Sequence, residues 1–224
     1  MTAPEIVARR IGYERHAIAI IDGFAPDPDG LRAAALAAPF VPADRHYPGL
    51  RAPLPSDYLA AVRPLIAATL REVFGLGGRA DLLDASFSIV TTSPEALSVQ
   101  QRLPHVDAVA PGRIALVHYL VPEGGDGTAF FRHRATGFET IDEARAPAYF
   151  ERINEEVRAQ GPPPAYIASS TALFERTALI EGRYNRALVY RSAMLHSGAI
   201  GPDTALTGDP ARGRLTVTAF LAAA

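Results

Sequence analysis

The sequence predicts one mainly β domain with flanking helices, and two observations carry the prediction. The first is a set of strand-length runs that are apolar or alternate between apolar and polar residues: 113–121, 185–192 and 214–221. The second is that helical periodicity is concentrated near the N-terminus and in one later segment. A chain of 224 residues with 48% hydrophobic content has the size of a single β-rich domain.

The N-terminal segment, residues 1–83, is predicted to be a mainly helical support. A short strand is expected at 16–21, followed by an Ala- and Leu-rich helix at 29–38. A longer helix is expected to begin with Ser56 as its N-cap, and Pro64 marks either a kink or the true first turn. We expect both helices to pack on the outer face of the sheet that the rest of the chain forms.

An insertion at residues 132–170 interrupts the predicted β region, residues 84–224. Within it, residues 148–160 carry an apolar stripe at helical spacing, and Pro147 stands where the first turn of a helix accepts proline. Strand-like alternation resumes at 171–180. We interpret the helix as a cover near the mouth of the fold or as a decoration that caps a sheet edge.

The candidate metal ligands are His105, Asp107 and His196. In a strand, residues i and i+2 point to the same face, so His105 and Asp107 can approach one ion together. Two histidines and one carboxylate leave coordination positions open, which is typical of non-haem Fe(II) oxygenases. A His-x-Asp triplet alone is a weak signal, since His105 and Asp107 are equally readable as a surface pair and His196 as a core histidine.

With the strand pattern around them, these residues resemble the 2-oxoglutarate/Fe(II)-dependent dioxygenase superfamily, in its prolyl-hydroxylase-like branch. The resemblance covers residues 84–221, with a looser likeness at 18–24. It implies a double-stranded β-helix, a jelly-roll or cupin-like barrel, with the N-terminal helices on its outer face. Residues 131–139 resemble a bacterial subgroup that departs from better-known members in the insertion, so the resemblance implies no particular substrate.

The resemblance also implies roles for individual residues. His105, Asp107 and His196 would be the Fe(II) ligands, while Arg214 and Thr216 would hold the far carboxylate of the cosubstrate 2-oxoglutarate. Tyr119 is a weaker match to an assisting aromatic residue. The implied reaction couples the oxidative decarboxylation of 2-oxoglutarate to hydroxylation of an unactivated C–H bond of a small molecule or a protein side chain.

Strand alternation discriminates between neighbouring candidates. Arg214 shares a face with Thr216, which favours it over its competitor Arg212 as the dicarboxylate anchor. His118 and Tyr119 face opposite ways, and we choose Tyr119 as the inward one.

A basic cluster opens the insertion. Arg132, His133 and Arg134 are candidates for binding a substrate carboxylate or phosphate, because arginine forks match such groups. The alternative for these three residues is a solvated polar turn.

Composition excludes several function classes. A net charge of −2 offers no field for nucleic acid, and the absence of cysteine excludes disulfides and thiol nucleophiles. No signal-like or membrane-spanning run is visible, so a cytoplasmic location is expected.

O₂ is the implied co-reactant, and a homodimer is compatible with the sequence. Two alternatives stay open: a cupin-type metalloenzyme without 2-oxoglutarate, and a non-catalytic binding module on the same barrel.

Overall fold

The computed structural model describes residues 3–43, 47–77 and 79–223. Its strands are β1 (Glu5–Ile11), β2 (His16–Asp22), β3 (Val41–Pro42), β4 (Gly49–Ala52), β5 (Ala80–Val90), β6 (Arg113–Tyr119), β7 (Gly125–His133), β8 (Phe174–Gly182), β9 (Arg186–Arg191), β10 (His196–Gly198) and β11 (Leu215–Ala223). Its α-helices are α1 (Pro28–Leu36), α2 (Tyr58–Phe74) and α3 (Ala146–Gln160). The structure is therefore mainly β with flanking helices, as predicted.

The strands form two antiparallel sheets. The large sheet has the order β1-β2-β9-β6-β11-β5-β4-β3, and the small sheet has the order β10-β7-β8. Four strands from the N-terminal segment lie at the two edges of the large sheet, of which the sequence predicted only β2. The others gave weak signals because β1 is mostly polar and exposed, while β3 and β4 are only two and four residues long.

Three apolar clusters show how the elements are layered. Between α1, α2 and the outer face of the large sheet lies the first cluster, which includes Leu31, Val62, Phe87, Leu116 and Val217. Between the two sheets lies the second, which includes Ala115, Tyr119, Phe130, Leu188 and Tyr190. Strand alternation thus separates Leu215 and Val217, which face the helices, from Thr216 and Thr218, which face the small sheet.

The two N-terminal helices have different starts. The Asp27 side chain accepts a hydrogen bond of 2.9 Å from Gly30 N, which caps α1, and Pro28 occupies the first turn. The predicted N-cap of α2 was wrong: Asp57, not Ser56, precedes the helix, and no side chain caps it. Pro64 lies inside α2 rather than in its first turn. Gly75 ends α2 with a left-handed φ of 64°.

The insertion helix α3 packs on the outer face of the small sheet. Its buried residues Tyr149 and Ile153 lie in a third cluster with Phe131 and Phe174. The sequence left open whether this helix covers the mouth or caps a sheet edge; in the structure it packs on a face of the small sheet. None of the helices in the described residues is long and apolar enough to cross a membrane.

A buried polar network joins the large sheet to α2. His118 is fully buried; its Nδ1 lies 3.0 Å from the Tyr58 hydroxyl, and its Nε2 lies 3.0 Å from Asn185 Oδ1. Because Asn185 Oδ1 accepts from Ala25 N, it also accepts from His118 Nε2–H, and in the neutral ring Nδ1 accepts from the Tyr58 hydroxyl. Burial lowers the pKa of His118 to about 4.

This network predicts an acid-sensitive component of stability. The unfolded chain takes up a proton at His118 near the ordinary histidine pKa of about 6.5, whereas the folded chain does so only near pH 4. The free energy of unfolding should therefore fall as the pH drops through this window, with a share from His118 of about 3 kcal/mol at most. Urea unfolding across the window measures the slope. His118→Gln should be less stable at neutral pH and have a shallower slope, and an unchanged slope would contradict the assignment.

Candidate metal centre

The two candidate histidine ligands are held opposite each other by the backbone. His105 and His196 form an isolated antiparallel bridge, in which each backbone N–H donates a 2.9 Å hydrogen bond to the other's carbonyl oxygen. Their ring centroids lie 4.4 Å apart. Asp107 N donates a 2.9 Å bond to Ser192 O, which ties the third ligand to the same β9–β10 connection. The strand expected at His105 is thus reduced to one bridge.

The tautomer of His196 is set by its backbone. Its Nδ1 lies 2.9 Å from the Met194 carbonyl oxygen, which can only accept, so Nδ1 carries the hydrogen. Burial lowers the pKa of His196 to about 4, so the ring is neutral near pH 7. The lone pair on Nε2 is then directed toward Asp107, whose Oδ2 is 3.6 Å away. Metal-binding histidines commonly donate a hydrogen bond from the ring nitrogen that does not bind the metal, as Nδ1 of His196 does here.

The Asp107 carboxylate is enclosed although its backbone is open. Its side chain is 15% exposed, and Oδ1 lies 3.8 Å from His105 Nε2. Burial raises the pKa of Asp107 to about 6, against the lowering effect of the charges on His105 and Arg51. A cation bound among the three donors would stabilise the charged form of this enclosed carboxylate.

The three side chains fit a divalent transition metal. One ligand atom from each of His105, Asp107 and His196 lies within 4.8 Å of the others, which leaves room for an ion about 2.0–2.2 Å from each donor. Two imidazoles and one carboxylate on one side of the ion form the donor set of non-haem Fe(II) sites. The structure therefore brings together all three ligands predicted from the sequence.

A polar row crosses the inner face of the large sheet. Thr216 lies opposite Ser88 on one side and Tyr119 on the other, and Arg51 lies opposite Ser88 on the next strand. Arg214 is two residues before Thr216, and so faces the same interior. Four strands, β4, β5, β6 and β11, therefore contribute to one polar surface between the sheets.

Arg214 is buried with part of its donor capacity unused. It is 9% exposed, its Nη2 donates a 2.9 Å bond to Gly127 O, and its guanidinium carbon lies 5.7 Å from the Tyr119 ring centroid. Its buried Nε has no hydrogen-bond partner within the described residues. Arg212, the competing candidate, is exposed. Because an unsatisfied buried donor costs about 1–3 kcal/mol, Arg214 Nε indicates a place for an acceptor.

Tyr47 and Arg51 were missed by the sequence reasoning. The buried Tyr47 hydroxyl and Arg51 Nε both lack a partner in the described ranges, and the Arg51 guanidinium carbon lies 5.1 Å from the Tyr47 ring centroid. Burial raises the pKa of Tyr47 to about 12, opposed by the charges of Arg214 and Arg51 and by the nearby Ser88 hydroxyl, which lies outside normal hydrogen-bond geometry. Residues 39–53 carry no periodic signal, so only the pairing of β4 with β5 reveals that Arg51 faces inward.

Tyr190 links the metal cluster to the polar row. Its ring packs edge-on against His196 at 4.7 Å and against Phe130 at 5.2 Å. The pKa of Tyr190 is raised first by burial and then by Asp107 and Tyr119, while Arg214 opposes the shift. Tyr190 faces the space between the sheets together with Tyr119, and its ring contacts His196 of the metal cluster.

A family model that matches residues 2–221 is that of DUF6445, described as a family of unknown function. The chain belongs to DUF6445. No curated protein matches the sequence.

Solved structures add a likeness of fold to this DUF6445 chain. The non-haem alpha-ketoglutarate-dependent epimerase SnoN of nogalamycin biosynthesis is 15% identical, with a TM-score of 0.51 over 94% of this chain and 80% of that one. HygX of Streptomyces hygroscopicus, solved with nickel, 2-oxoglutarate and hygromycin B, is 13% identical, with a TM-score of 0.47 over 94% and 84%. At such identities, the likeness to SnoN shows a shared fold.

The predicted substrate cluster at the start of the insertion has partners of its own. Arg132 Nε donates to Gly137 O, and His133, fully buried, lies 2.7 Å from Glu156 and 2.9 Å from Thr136. Arg134 Nε donates to Thr171 O. Within the described part of the DUF6445 chain, none of the three forms a hydrogen bond or ion pair with His105, Asp107 or His196.

A second group with metal-ligand chemistry consists of Glu14, His16 and Glu139. Glu139 accepts hydrogen bonds from Tyr13 N and Glu14 N, and Glu14 accepts from Arg145. Gly12, at φ +70°, lets the β1–β2 turn approach so closely that a Cβ there would lie 2.0 Å from Glu139 Oε2. Since these carboxylates are already paired, the group is a clasp between the turn and residue 139.

The metal assignment predicts selective loss of binding. His105→Ala and His196→Ala should each weaken Mn(II) binding more than about 100-fold, because each removes one of three donors. Mn(II) titration followed by electron paramagnetic resonance measures the loss, and thermal unfolding checks the fold. His16→Ala, in the second His-containing group, is the control and should bind Mn(II) like the wild type. Equal binding by all four proteins would contradict the assignment.

Proposed function

We propose that this DUF6445 chain is an Fe(II)- and 2-oxoglutarate-dependent oxygenase. The observation that carries the proposal is the combination of the His105–Asp107–His196 cluster with a buried arginine, Arg214, whose Nε is unpaired in the same interior. A metal donor set with open positions suits O₂ chemistry, and an enclosed guanidinium suits a carboxylate. Either feature alone fits several functions, but their combination fits a keto-acid cosubstrate.

The fold of the proposed enzyme is the double-stranded β-helix of the prolyl-hydroxylase-like branch. Two antiparallel sheets with apolar residues between them support this assignment. In that arrangement His105 and Asp107 lie early in the barrel, while His196 and Arg214 lie late. Residues 1–83 then act as support and also contribute Tyr47 and Arg51 to the interior.

Different residues of the chain would hold the metal ion and the far carboxylate of 2-oxoglutarate. His105, Asp107 and His196 would hold Fe(II), which supplies the redox chemistry when it is bound with O₂ and 2-oxoglutarate. Arg214 would donate charge-assisted hydrogen bonds to the far carboxylate of 2-oxoglutarate, with the hydroxyl groups of Thr216 and Tyr47 as further donors. Tyr119 would act through its ring face on Arg214, because its own hydroxyl lies 2.8 Å from Thr128 Oγ1.

The walls between these two places favour oxidation of a C–H bond. Tyr190 and Phe130 pack around His196 and exclude water from one side of the metal cluster. The sequence contains no cysteine, and hydroxylation of an unactivated C–H bond is the outcome we propose. SnoN is named an epimerase, which makes removal of hydrogen without hydroxylation the nearest alternative outcome.

A cupin-type metalloenzyme that does not use 2-oxoglutarate is the second candidate. It shares the donor set and the sheets, but it has no need for an enclosed guanidinium with an unused donor. Arg214 therefore discriminates between the two, whereas the complete metal donor set argues against a non-catalytic module.

Cosubstrate binding should depend on Arg214 and not on Arg212. Arg214→Ala should weaken 2-oxoglutarate binding to the Mn(II)-loaded protein by about 2–4 kcal/mol, because it leaves an enclosed carboxylate unpaired. Isothermal titration calorimetry measures the change. Arg212→Ala, whose side chain is exposed, is the matched control and should retain wild-type affinity. A loss in Arg212→Ala alone would move the anchor to that residue.

The Tyr47 hydroxyl should make a smaller contribution. Tyr47→Phe removes one donor and keeps the ring against Arg51, so 2-oxoglutarate binding should weaken by about 1 kcal/mol. The same calorimetric titration measures it. Tyr184→Phe, a change in a hydroxyl that bonds to Asp29 outside the interior, should leave the affinity unchanged. Unaltered affinity in Tyr47→Phe would remove Tyr47 from the proposed site.

The proposed function itself is tested by reconstitution. Anaerobic addition of Fe(II) and 2-oxoglutarate should produce the visible charge-transfer absorbance of a chelated keto acid, and admission of O₂ should convert 2-oxoglutarate to succinate. Proton NMR follows the conversion, and His196→Ala should give neither signal. Metal binding without any effect of 2-oxoglutarate would favour the cupin-type alternative.

A further inference from the structure

A cleft of about 420 Å³ lies beside the metal cluster. Asp107 forms part of its wall, so the cleft reaches a candidate metal ligand directly. Most of the lining is apolar and includes Leu83, Val109, Phe220 and Leu221. The lining also contains one positively charged side chain, that of Arg113, in addition to the negatively charged Asp107. Its volume is in the range of small-molecule sites.

Arg113 has an unused cationic side chain. It begins β6, where alternation places it on the same inward face as Ala115 and Tyr119. Within the described residues its guanidinium has no hydrogen bond and no ion pair, and Nη1 is buried without a partner. By contrast, Arg51 pairs with Asp84 and Arg186 pairs with Asp22.

The backbone fixes Arg113 relative to Asp107. Ser192 N donates a 3.0 Å bond to Arg113 O, and Ser192 O accepts a 2.9 Å bond from Asp107 N. One residue thus ties together the strand that carries the cation and the loop that carries the metal ligand. The fold therefore sets the backbone of Arg113 at a fixed place relative to the backbone of Asp107.

We propose that this cleft is the substrate site and that the substrate is a small molecule with an apolar body and one anionic group, a carboxylate or a phosphate or sulfate ester, held by Arg113. The inference rests on the function proposed above, since it places the reacting carbon beside Asp107. A planar guanidinium matches such anions by paired hydrogen bonds, and the apolar wall strengthens that attraction by excluding water. The same charge disfavours cationic substrates.

The test uses three probes with one carbon skeleton: 3-phenylpropionate, its neutral amide 3-phenylpropionamide, and the cation 3-phenylpropylamine. Saturation-transfer NMR on the 2-oxoglutarate-saturated protein, with and without Mn(II), gives each affinity, and Mn(II) broadening of probe signals reports closeness to the metal. The wild type should bind the carboxylate about tenfold more tightly than the amide or the amine. Mn(II) should broaden the bound carboxylate probe.

Variants of Arg113 decide the assignment. Arg113→Gln should abolish the preference for the carboxylate, Arg113→Lys should retain part of it, and Arg113→Glu should shift the preference to the amine. Arg183→Gln, which changes an exposed arginine outside the cleft, is the control and should behave like the wild type. Thermal unfolding of each variant confirms that it is folded.

Three outcomes would overturn the proposal: no carboxylate preference in the wild type, a preference that survives Arg113→Gln, or a preference that Arg51→Gln abolishes instead. A carboxylate that merely coordinates the metal would be broadened equally in wild type and Arg113→Gln. Failure of the proposed function is distinguishable, because it removes Mn(II) or 2-oxoglutarate binding, whereas saturation transfer still measures the effect of Arg113.

Discussion

The backbone bridge between His105 and His196 is the constraint on which the site depends. Two reciprocal hydrogen bonds of 2.9 Å join a loop that follows the N-terminal strands to a short strand near the end of the chain. The side chains of an antiparallel pair lie on the same face, so the bridge places both imidazoles beside one ion position without help from side-chain contacts. Ser192 extends the constraint to Asp107 and Arg113, and so one short connection positions ligands and cleft alike.

Buried polar groups between the sheets lower the stability of the fold unless ligands supply their missing hydrogen-bond partners. Five buried side-chain atoms lack a hydrogen-bond partner in the described residues, and four of them belong to Tyr47, Arg51, Arg113 and Arg214. Native interiors rarely leave such groups unpaired, and here the exceptions gather on one inner surface beside a candidate metal cluster. Ordinary structural imperfection would scatter them over the molecule. Water or a ligand can supply the missing partners of such groups.

Much of the fold and the metal cluster could be predicted from the sequence because the information is local. Alternation along β11 correctly separated Thr216 and Thr218 from Leu215 and Val217. In β6 it placed His118 and Tyr119 on opposite faces but did not decide which of them faces inward. The edge strands β3 and β4 could not be found, since strands of two and four residues are too short for periodicity. Arg51 and Tyr47 were lost with them. Arg113 was visible as a strand start, but only the structure shows that its buried Nη1 has no hydrogen-bond partner within the described residues.

The structure gives the basic cluster at the start of the insertion hydrogen-bond partners close to it. Arg132, His133 and Arg134 follow a barrel strand directly, and clustered charge suggested substrate binding. In the structure, His133 lies on the outward face of β7, between α3 and β8, where its ring packs against Tyr149 and Phe174. Its role is determined by its position on that face. Arg113 has no charged neighbour in sequence, yet it remains unpaired beside Asp107. A cation contributes to recognition when the fold leaves it without an internal acceptor, and this condition selects Arg113 over the more conspicuous cluster.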